Sequence, residues 1–323
     1  MPEPRQGESA GARVTRLSTT PVKGLALHHP DEILLRRTGA AGDRAFFVID
    51  GRDRLISIWK TGRLVRFRAA HDTRNDRIML SSAEGVACDA PVRLGIPVTA
   101  DFYGKRKVTG TVVEGPWNAL LSDAAGEPVR LVRADEPGAG HDEHPVTLLG
   151  EESVAELARQ SGAGSVDGRR FRMLIGFAGL TAHIEDSWQG RTIQIGQAVV
   201  RAGGPVPRCA ATTRDPDRGV RDFPAVRMIR SYRGVRPNES GRGVNFGVYA
   251  DVVVEGVVRV GDPLNVQPAG RDARPSRLPA LSPHAVRLIR VARAGSVRKL
   301  LPERILLEYS LGYERSADLA WPA

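Results

Sequence analysis

The first 135 residues alternate short apolar runs with polar turns, and this pattern is typical of β-strands. The runs are Val14–Leu17, Ile33–Arg37, Ala45–Ile49, Val108–Val113 and Val129–Arg133. The dipeptide Asp50-Gly51 follows the third run and predicts a hairpin turn that returns over Arg54–Ile58. Frequent Gly and Pro between the runs favour a barrel or a sandwich.

A polar loop over Pro137–His144 interrupts this pattern and is the best candidate for a domain boundary. We therefore predict one domain over residues 13–136 and a second over residues 145–266. The second domain opens with a helix at about Glu151–Gln160, because its apolar side chains share one face and Gly162 follows.

The rest of the second block again predicts strands. Val248–Val254 and Val257–Val260 flank Glu255-Gly256 and suggest a tight hairpin. Asp222-Phe223-Pro224 can start a short helix that reaches Tyr232. The overall prediction is a mainly β protein with a few helices (α+β).

The last part of the chain, residues 267–323, differs from the rest. Pro268–Pro283 is rich in Pro, Arg and Ala and is typical of a linker. The following residues show helical periodicity, and we expect this helical extension to pack on the body through Leu288, Ile289, Ile305 and Leu306.

Composition narrows the possible compartments and partners. Hydrophobic residues make up 41% of the 323 residues, which is enough for a packed core. No run reaches the roughly 20 apolar residues of a membrane span, and the N-terminus lacks the apolar core of a signal peptide. We therefore expect a cytoplasmic protein that does not bind a membrane. The net charge of +10 fits a solvated surface, an anionic ligand or an acidic redox partner. Nucleic acid is the weakest of these alternatives, because no nucleic-acid-binding motif accompanies the charge.

The segment Pro205–Asp217 carries the most notable chemistry. It places Cys209 after Arg208 in a Pro-framed stretch, and a neighbouring guanidinium favours the thiolate, which is the form that binds metals or attacks substrates. The alternative is an inert buried cysteine. That alternative is our expectation for Cys88, the second of the two cysteines.

Other motifs point to little else. His141-Asp142-Glu143-His144 could place two metal ligands close together, but such loop side chains are usually only solvated. No glycine-rich loop is placed to cradle a nucleotide phosphate, and two cysteines alone cannot ligate an iron–sulfur cluster.

The chain resembles the MOSC domain family, which comprises the C-terminal domains of molybdenum cofactor sulfurases and the amidoxime-reducing components. The matching pieces occur in family order: Arg170-Phe171-Arg172, Glu185-Asp186-Ser187-Trp188, Ile195-Gly196, Pro207-Arg208-Cys209, Thr212–Asp217, Ser231-Tyr232-Arg233, Phe246–Tyr249 and Val260-Gly261-Asp262. Pro21-Val22-Lys23-Gly24 and Gly42-Asp43-Arg44 are similar to the MOSC N-terminal β-barrel domain. The resemblance implies an N-terminal β-barrel domain that is followed along the chain by a MOSC-type β-barrel domain.

The resemblance also implies a molybdopterin-type molybdenum cofactor, with Cys209 as the metal ligand and catalytic residue. The residues expected at the cofactor are Lys23, Gly24, Arg44, Ser153, Arg172, Arg208 and Cys209. Two departures from the family pattern stand out. Leu174 occupies the position of an amide in the family's Arg-Pro-Asn, and Gly24 replaces a serine.

The leading hypothesis is therefore a molybdenum-cofactor oxidoreductase that reduces an N-hydroxylated or related oxygen-bearing small molecule. Without a cluster of its own, it would take electrons from a separate electron-transfer protein. The alternatives are a repurposed enzyme that uses Cys209 in sulfur transfer or carbon–sulfur chemistry, and a cofactor-binding module without turnover.

Overall fold

A computed structural model describes residues 11–267, and within this range the chain forms nineteen strands and three α-helices. The first ten strands are β1 (Arg13–Leu17), β2 (Glu32–Arg36), β3 (Gly39–Ala40), β4 (Phe46–Asp50), β5 (Arg68–Asp72), β6 (Arg77–Ser82), β7 (Gly85–Pro91), β8 (Arg93–Phe102), β9 (Arg106–Glu114) and β10 (Val129–Ala134). The other strands are β11 (Val146–Gly150), β12 (Ile175–Ala178), β13 (Thr192–Ile195), β14 (Ala198–Pro207), β15 (Arg236–Asn238), β16 (Gly241–Gly243), β17 (Asn245–Val254), β18 (Gly256–Arg259) and β19 (Leu264–Val266). The helices are α1 (Trp117–Ala125), α2 (Glu151–Ser161) and α3 (Ala225–Arg233).

Most strands belong to two sheets. A nearly closed seven-stranded sheet has the order β1-β12-β11-β17-β14-β13-β19, and a four-stranded sheet has the order β4-β10-β9-β8. Two three-stranded sheets, β18-β2-β3 and β5-β6-β7, and the β15-β16 hairpin complete the described fold. The predicted fold class, mainly β with a few helices, is confirmed.

The core follows from the alternation along these strands. In β14, Ala198, Val200, Ala202 and Val206 are buried, and most residues between them are more exposed. Each buried Val or Leu side chain contributes about 1.5–3 kcal/mol relative to leaving it in water. By contrast, every residue of β4 is buried, because this strand packs on both faces.

Strands from the N-terminal part complete sheets of the C-terminal part. Strand β1 pairs antiparallel with β12, with Val14 opposite Phe177. Strand β2 pairs with β18, with Ile33 opposite Val258. The chain therefore crosses between the two parts before residue 41, and the predicted division at residues 137–144 stays a prediction.

Helices α2 and α3 lie where the sequence predicts them. Helix α2 begins with Glu151 and Glu152, and it ends at Gly162, which adopts a left-handed backbone with φ 69°. Helix α3 directly follows Pro224. Helix α1 was not predicted, because its nine residues bury only Trp117 and Leu121 and so carry a weak periodic pattern.

The predicted hairpin over residues 248–260 is wrong. Strand β17 pairs with β14 on one edge as far as Val254, and with β11 on the other edge at residues 248–250. Strand β18 instead pairs with β2. The Asp50-Gly51 turn does form, but the returning chain makes only an isolated bridge between Ile49 and Leu55.

The predicted C-terminal extension and its linker lie outside the described residues. Within residues 11–267, no helix is both long and apolar enough to cross a membrane.

Candidate active site

Cys209 lies just after the end of β14, with an exposed thiol. It begins a short 3-10 turn over Ala210–Thr213. Its carbonyl accepts hydrogen bonds from the backbone N–H of Thr212 at 3.2 Å and from the Thr212 hydroxyl at 3.0 Å. The turn thus fixes the cysteine backbone and leaves the sulfur accessible.

A buried arginine holds this turn from behind. The Nη1 of Arg170 donates to the carbonyls of Thr212 at 3.2 Å and Arg214 at 3.3 Å. The same guanidinium pairs with Asp222 at 3.1 Å. Buried backbone carbonyls need such donors, because an unpaired polar group away from water is costly.

The guanidinium of Arg208, next to the cysteine, connects β17 to residues 171–173. It donates to the carbonyl of Phe246 at 2.8 Å and to that of Phe171 at 3.1 Å, and it also contacts the sulfur of Met173. Burial lowers the pKa of Arg208 to about 10. Arg208 thus positions the cysteine segment against residues 171–173.

Three further cations meet beside this segment, and two of them come from the N-terminal part. Lys23 is buried and pairs with Asp142 at 2.7 Å, and Arg44 contacts Asp43. The Nη2 of Arg44 lies 3.5 Å from the carbonyl of Arg172, whose own Nη2 donates to Leu25 at 2.8 Å.

The cations of this group repel one another. Burial, together with the charge of Arg44, lowers the pKa of Arg172 to about 9. Burial also lowers the pKa of Lys23. The charges of Arg44 and Arg172 lower it further, and the carboxylate of Asp142 opposes this change. We call Lys23, Arg44, Arg172 and Arg208 the cation cluster.

The cluster lies near Cys209, and a tyrosine connects the two. Tyr103 is 47% exposed overall, but desolvation raises the pKa of its hydroxyl, and the nearby Asp142 and Cys209 raise it further. Asp142 and Cys209 also lie near Arg208. The turn between β8 and β9 thus brings a neutral phenol to the cysteine side of the cluster.

The backbone is strained at this place. Arg44, Arg172 and Tyr103 have positive φ angles of 50°, 54° and 62°, which non-glycine residues seldom adopt. Such conformations cost on the order of 1–3 kcal/mol each and tend to gather at functional sites. Gly24 also has a positive φ, of 92°, but glycine adopts this conformation without that cost.

The charges of the cluster do not balance. Asp43 and Asp142 compensate two of its four cations, and among residues 11–267 Arg172 and Arg208 pair with no carboxylate. A buried excess of positive charge is unfavourable unless an anion binds. A phosphate-bearing group with a soft metal centre therefore fits the cluster and the thiol together.

Residues 135–265 match the MOSC domain family. This match covers about two fifths of the chain. Mitochondrial amidoxime reducing component 2 of Bos taurus is 35% identical over 124 residues, which is 37% of this chain and 36% of that protein. Mitochondrial amidoxime-reducing component 1 of Mus musculus is 32% identical over 138 residues, or 42% of this chain and 40% of that protein. The chain thus spans well under half the length of these relatives.

Among solved structures, the YuaD protein of Bacillus subtilis is 13% identical, with a TM-score of 0.40. The similarity covers 80% of this chain and 97% of that one.

Ser153, expected at the cofactor, and Leu174, expected near it, are both buried. Ser153 is fully buried, and its hydroxyl donates to Glu185 at 2.8 Å and accepts the N–H of His183 at 2.8 Å. Leu174 packs into the main core, so the missing amide leaves an apolar side chain in an apolar place.

The His141–His144 loop sends its side chains in different directions. His141 is buried near Asp43, Asp142 pairs with Lys23, and His144 pairs with Glu239 and Asp251. No group of three or more His, Cys, Asp or Glu side chains suited to a metal occurs in the part of the chain that the structure describes.

Sequence reasoning missed the roles of Asp142, Tyr103 and Arg170. Asp142 belongs to the loop that the sequence suggested only as a weak metal site, and Tyr103 lies in a turn that carries no motif. Arg170 belongs to a segment that the resemblance included, and its burial beside the cysteine turn needed the structure.

Proposed function

We propose that this protein is a molybdenum-cofactor-dependent oxidoreductase that reduces an N-hydroxylated or related oxygen-bearing small molecule. The observation that carries the proposal is an exposed thiol, Cys209, beside buried cations whose charge exceeds that of their carboxylate partners. The MOSC domain match and the amidoxime-reducing relatives support the same assignment.

Each residue of the site has a role in this proposal. Cys209 would provide the metal ligand, because a thiolate is a soft donor. Lys23, Arg44 and Arg172 would neutralise the phosphate of a pterin cofactor. Arg208 and Arg170 hold the segments on either side of the cysteine.

The cofactor, when bound, would supply the two-electron chemistry that side chains cannot. Reduction of an N–OH group to N–H takes up two electrons and two protons and releases water. The pKa of Tyr103 is raised, so its hydroxyl stays protonated and could donate a hydrogen bond near Cys209, but it is a poor proton donor. The electrons would come from a separate electron-transfer protein, and the net charge of +10 favours an acidic one.

Metal and pterin analysis of freshly purified protein tests the assignment, followed by turnover of a simple aryl amidoxime with a chemical reductant. We expect near-stoichiometric molybdenum, a fluorescent pterin after release, and formation of the amidine. Molybdenum without turnover of any N-oxygenated compound would instead indicate a cofactor-binding module.

A second candidate is a thiol-based enzyme of sulfur transfer or carbon–sulfur chemistry, and the exposure of Cys209 favours it. It predicts an active protein that contains neither molybdenum nor pterin. The same metal analysis therefore separates the two functions.

A further inference from the structure

The segment around and after Cys209 concentrates positive charge. Residues 208–242 contain nine arginines, four acidic residues and no lysine. All four acids already have a partner, because Asp215 pairs with Arg218, Asp217 with Arg169, Asp222 with Arg170 and Glu239 with His144. Several arginines of the segment are exposed and, within residues 11–267, form no ion pair with a carboxylate: Arg221, Arg227, Arg230 and Arg242.

Helix α3 carries two of these charges at a cost. Arg227 and Arg230 lie one turn apart on its exposed side, and the helix contains no acidic residue. Like charges at this spacing repel each other, and Arg227 lies in the first turn, where the helix dipole disfavours a cation. Helix α2, by contrast, has two acids in its first turn and pairs Arg159 with Glu156. The charges of α3 are therefore unfavourable for the isolated fold and suited to an anionic partner.

These arginines adjoin the turn that Cys209 begins. The carbonyl of Thr213, at the end of that turn, accepts the backbone N–H of Asp222 at 3.1 Å. Arg221 precedes Asp222 and forms an isolated β-bridge with Arg214, and α3 follows directly after Pro224. A protein bound to the exposed arginines would therefore lie near the exposed thiol.

Two exposed apolar side chains belong to the same surface. Val220 is 49% exposed and precedes Arg221, and Trp59 is 50% exposed, whereas the other two tryptophans among residues 11–267 are buried. The carbonyl of Trp59 accepts a hydrogen bond from Nη2 of Arg214 at 3.0 Å, which connects its loop to the segment after Cys209. Trp and Arg are enriched among the residues that contribute most to protein–protein binding.

We propose that Trp59, Val220, Arg221, Arg227 and Arg230 form a docking face for a small acidic electron-transfer protein. The inference rests on the proposed function and identifies where its electron donor binds. Carboxylates of the donor pair with the arginines, and Trp59 and Val220 contact an apolar patch between them. A one-electron donor docks twice in each turnover, because reduction of an N–OH group takes up two electrons. A nucleic acid would also pair with the arginines, but it gives no role to the thiol beside them.

Calorimetric titration of the purified full-length protein with a plant-type ferredoxin, an acidic one-electron carrier, tests the docking face without turnover. The basic cytochrome c is the control probe. We expect ferredoxin to bind at about 0.05 M salt and at least about fivefold more weakly at about 0.2 M, because salt screens exposed charges. Cytochrome c should not bind. Absence of ferredoxin binding at low salt, or an affinity that salt does not change, would overturn the proposal.

Variants locate the binding. Arg227→Gln combined with Arg230→Gln should weaken ferredoxin binding about tenfold, and Trp59→Ala should weaken it about fivefold or more. The matched control combines Arg74→Gln with Arg93→Gln, which removes the same charge from exposed positions in the β5–β6 turn and in β8. It should leave the affinity unchanged. Equal losses in the two double variants would mean that ferredoxin responds only to net charge, which contradicts a defined face. Melting temperatures check folding, and should Trp59→Ala not fold, the arginine variants decide alone.

Turnover distinguishes this inference from the proposed function. In the Arg227→Gln/Arg230→Gln protein, turnover with reduced ferredoxin should fall, while turnover with a chemical reductant should match wild type. Protein without molybdenum that still binds ferredoxin through these arginines would contradict the redox function and support the docking face. Protein that contains molybdenum but binds ferredoxin equally with and without the arginines would support the function and contradict the face. Tighter binding of a short DNA duplex than of ferredoxin, lost in the same variant, would show that the choice of partner is wrong.

Discussion

At the scale of single residues, His144 is held between two carboxylates. Its Nδ1 lies 2.9 Å from Asp251 and its Nε2 lies 2.8 Å from Glu239, and its ring packs on Tyr249. A neutral imidazole has only one N–H, so the paired arrangement requires the protonated ring. Burial alone would lower the pKa of His144, but the hydrogen bonds to Asp251 and Glu239 raise it above 6.5.

This arrangement gives a signed dependence of stability on pH. Because the folded pKa is raised, the contribution of His144 is complete below about pH 6.5 and is lost as pH rises through the folded value. We expect His144→Gln to cost about 1 kcal/mol at pH 6, since both carboxylates are partly exposed, and less at pH 9. Urea unfolding of wild type and variant between pH 5 and 9 measures the difference.

His183 provides a control of opposite sign. Burial and the charge of Arg233 lower the pKa of His183 to about 4. The unfolded chain therefore takes up a proton below about pH 6.5 while the folded chain does not, so the stability of wild type relative to His183→Gln falls from pH 6.5 to 5. The stability of wild type relative to the variant should therefore fall with rising pH for His144 and rise with pH for His183. A change in the same direction for both variants would contradict the assignment of His144.

At the scale of elements, two loops meet with almost no space between them. A Cβ atom at Gly219 would lie 1.9 Å from the carbonyl oxygen of Gly62, and a Cβ at Gly62 would lie equally close to that of Gly219. Arg214 strengthens the contact by donating to both loops. This contact joins the N-terminal part to the segment that follows Cys209.

Gly219→Ala should therefore cost about 2–5 kcal/mol, because steric overlap adds to the strain of its φ of 69°. Gly190→Ala is the matched control: its φ is 80°, but no atom lies within 4 Å of an added Cβ, so only about 1 kcal/mol is expected. Chemical unfolding of both variants gives the two free energies. Equal losses would show that the loops are not in close contact.

An element could be predicted from the sequence when its signals, such as apolar periodicity and a terminal glycine, lie within the element itself. Helix α2 follows from Val154, Leu157 and the terminal Gly162, and its end is correct to one residue. The pairing of β18 with β2 was not predictable, since it joins residues more than 200 positions apart and the nearby Glu255-Gly256 turn favoured a hairpin. Local turn chemistry cannot report that the partner of β18 is a strand from the start of the chain.

The candidate site shows the same division. The segment around Cys209 has enough ordered motif residues to be recognised, whereas Asp142 and Tyr103 reach the site only through the folding of distant loops. Leu174, which the sequence pattern placed near the expected site, directly precedes β12 and packs in the main core.

At the scale of the whole molecule, the strand pairings explain why one site draws on both halves of the chain. Strands β1 and β2 pair with β12 and β18, and this brings Lys23 and Arg44 to Arg172. The site then concentrates positive charge that its own carboxylates do not neutralise. An anionic cofactor would neutralise this charge, whereas the fold alone does not require it.

The most direct test compares the two cysteines. Cys209→Ser and Cys88→Ser each replace one sulfur by oxygen with little change in volume. Burial raises the pKa of Cys88, so its thiol is a poor ligand, whereas the thiol of Cys209 is exposed at the site. Molybdenum per protein and amidoxime turnover are measured for both variants and for wild type, with melting temperatures as a check on folding. We predict that Cys88→Ser matches wild type and that Cys209→Ser loses at least about 90% of its turnover, because a neutral hydroxyl replaces a soft thiolate. Wild-type metal content and turnover in Cys209→Ser would contradict the assignment of Cys209 as the metal ligand.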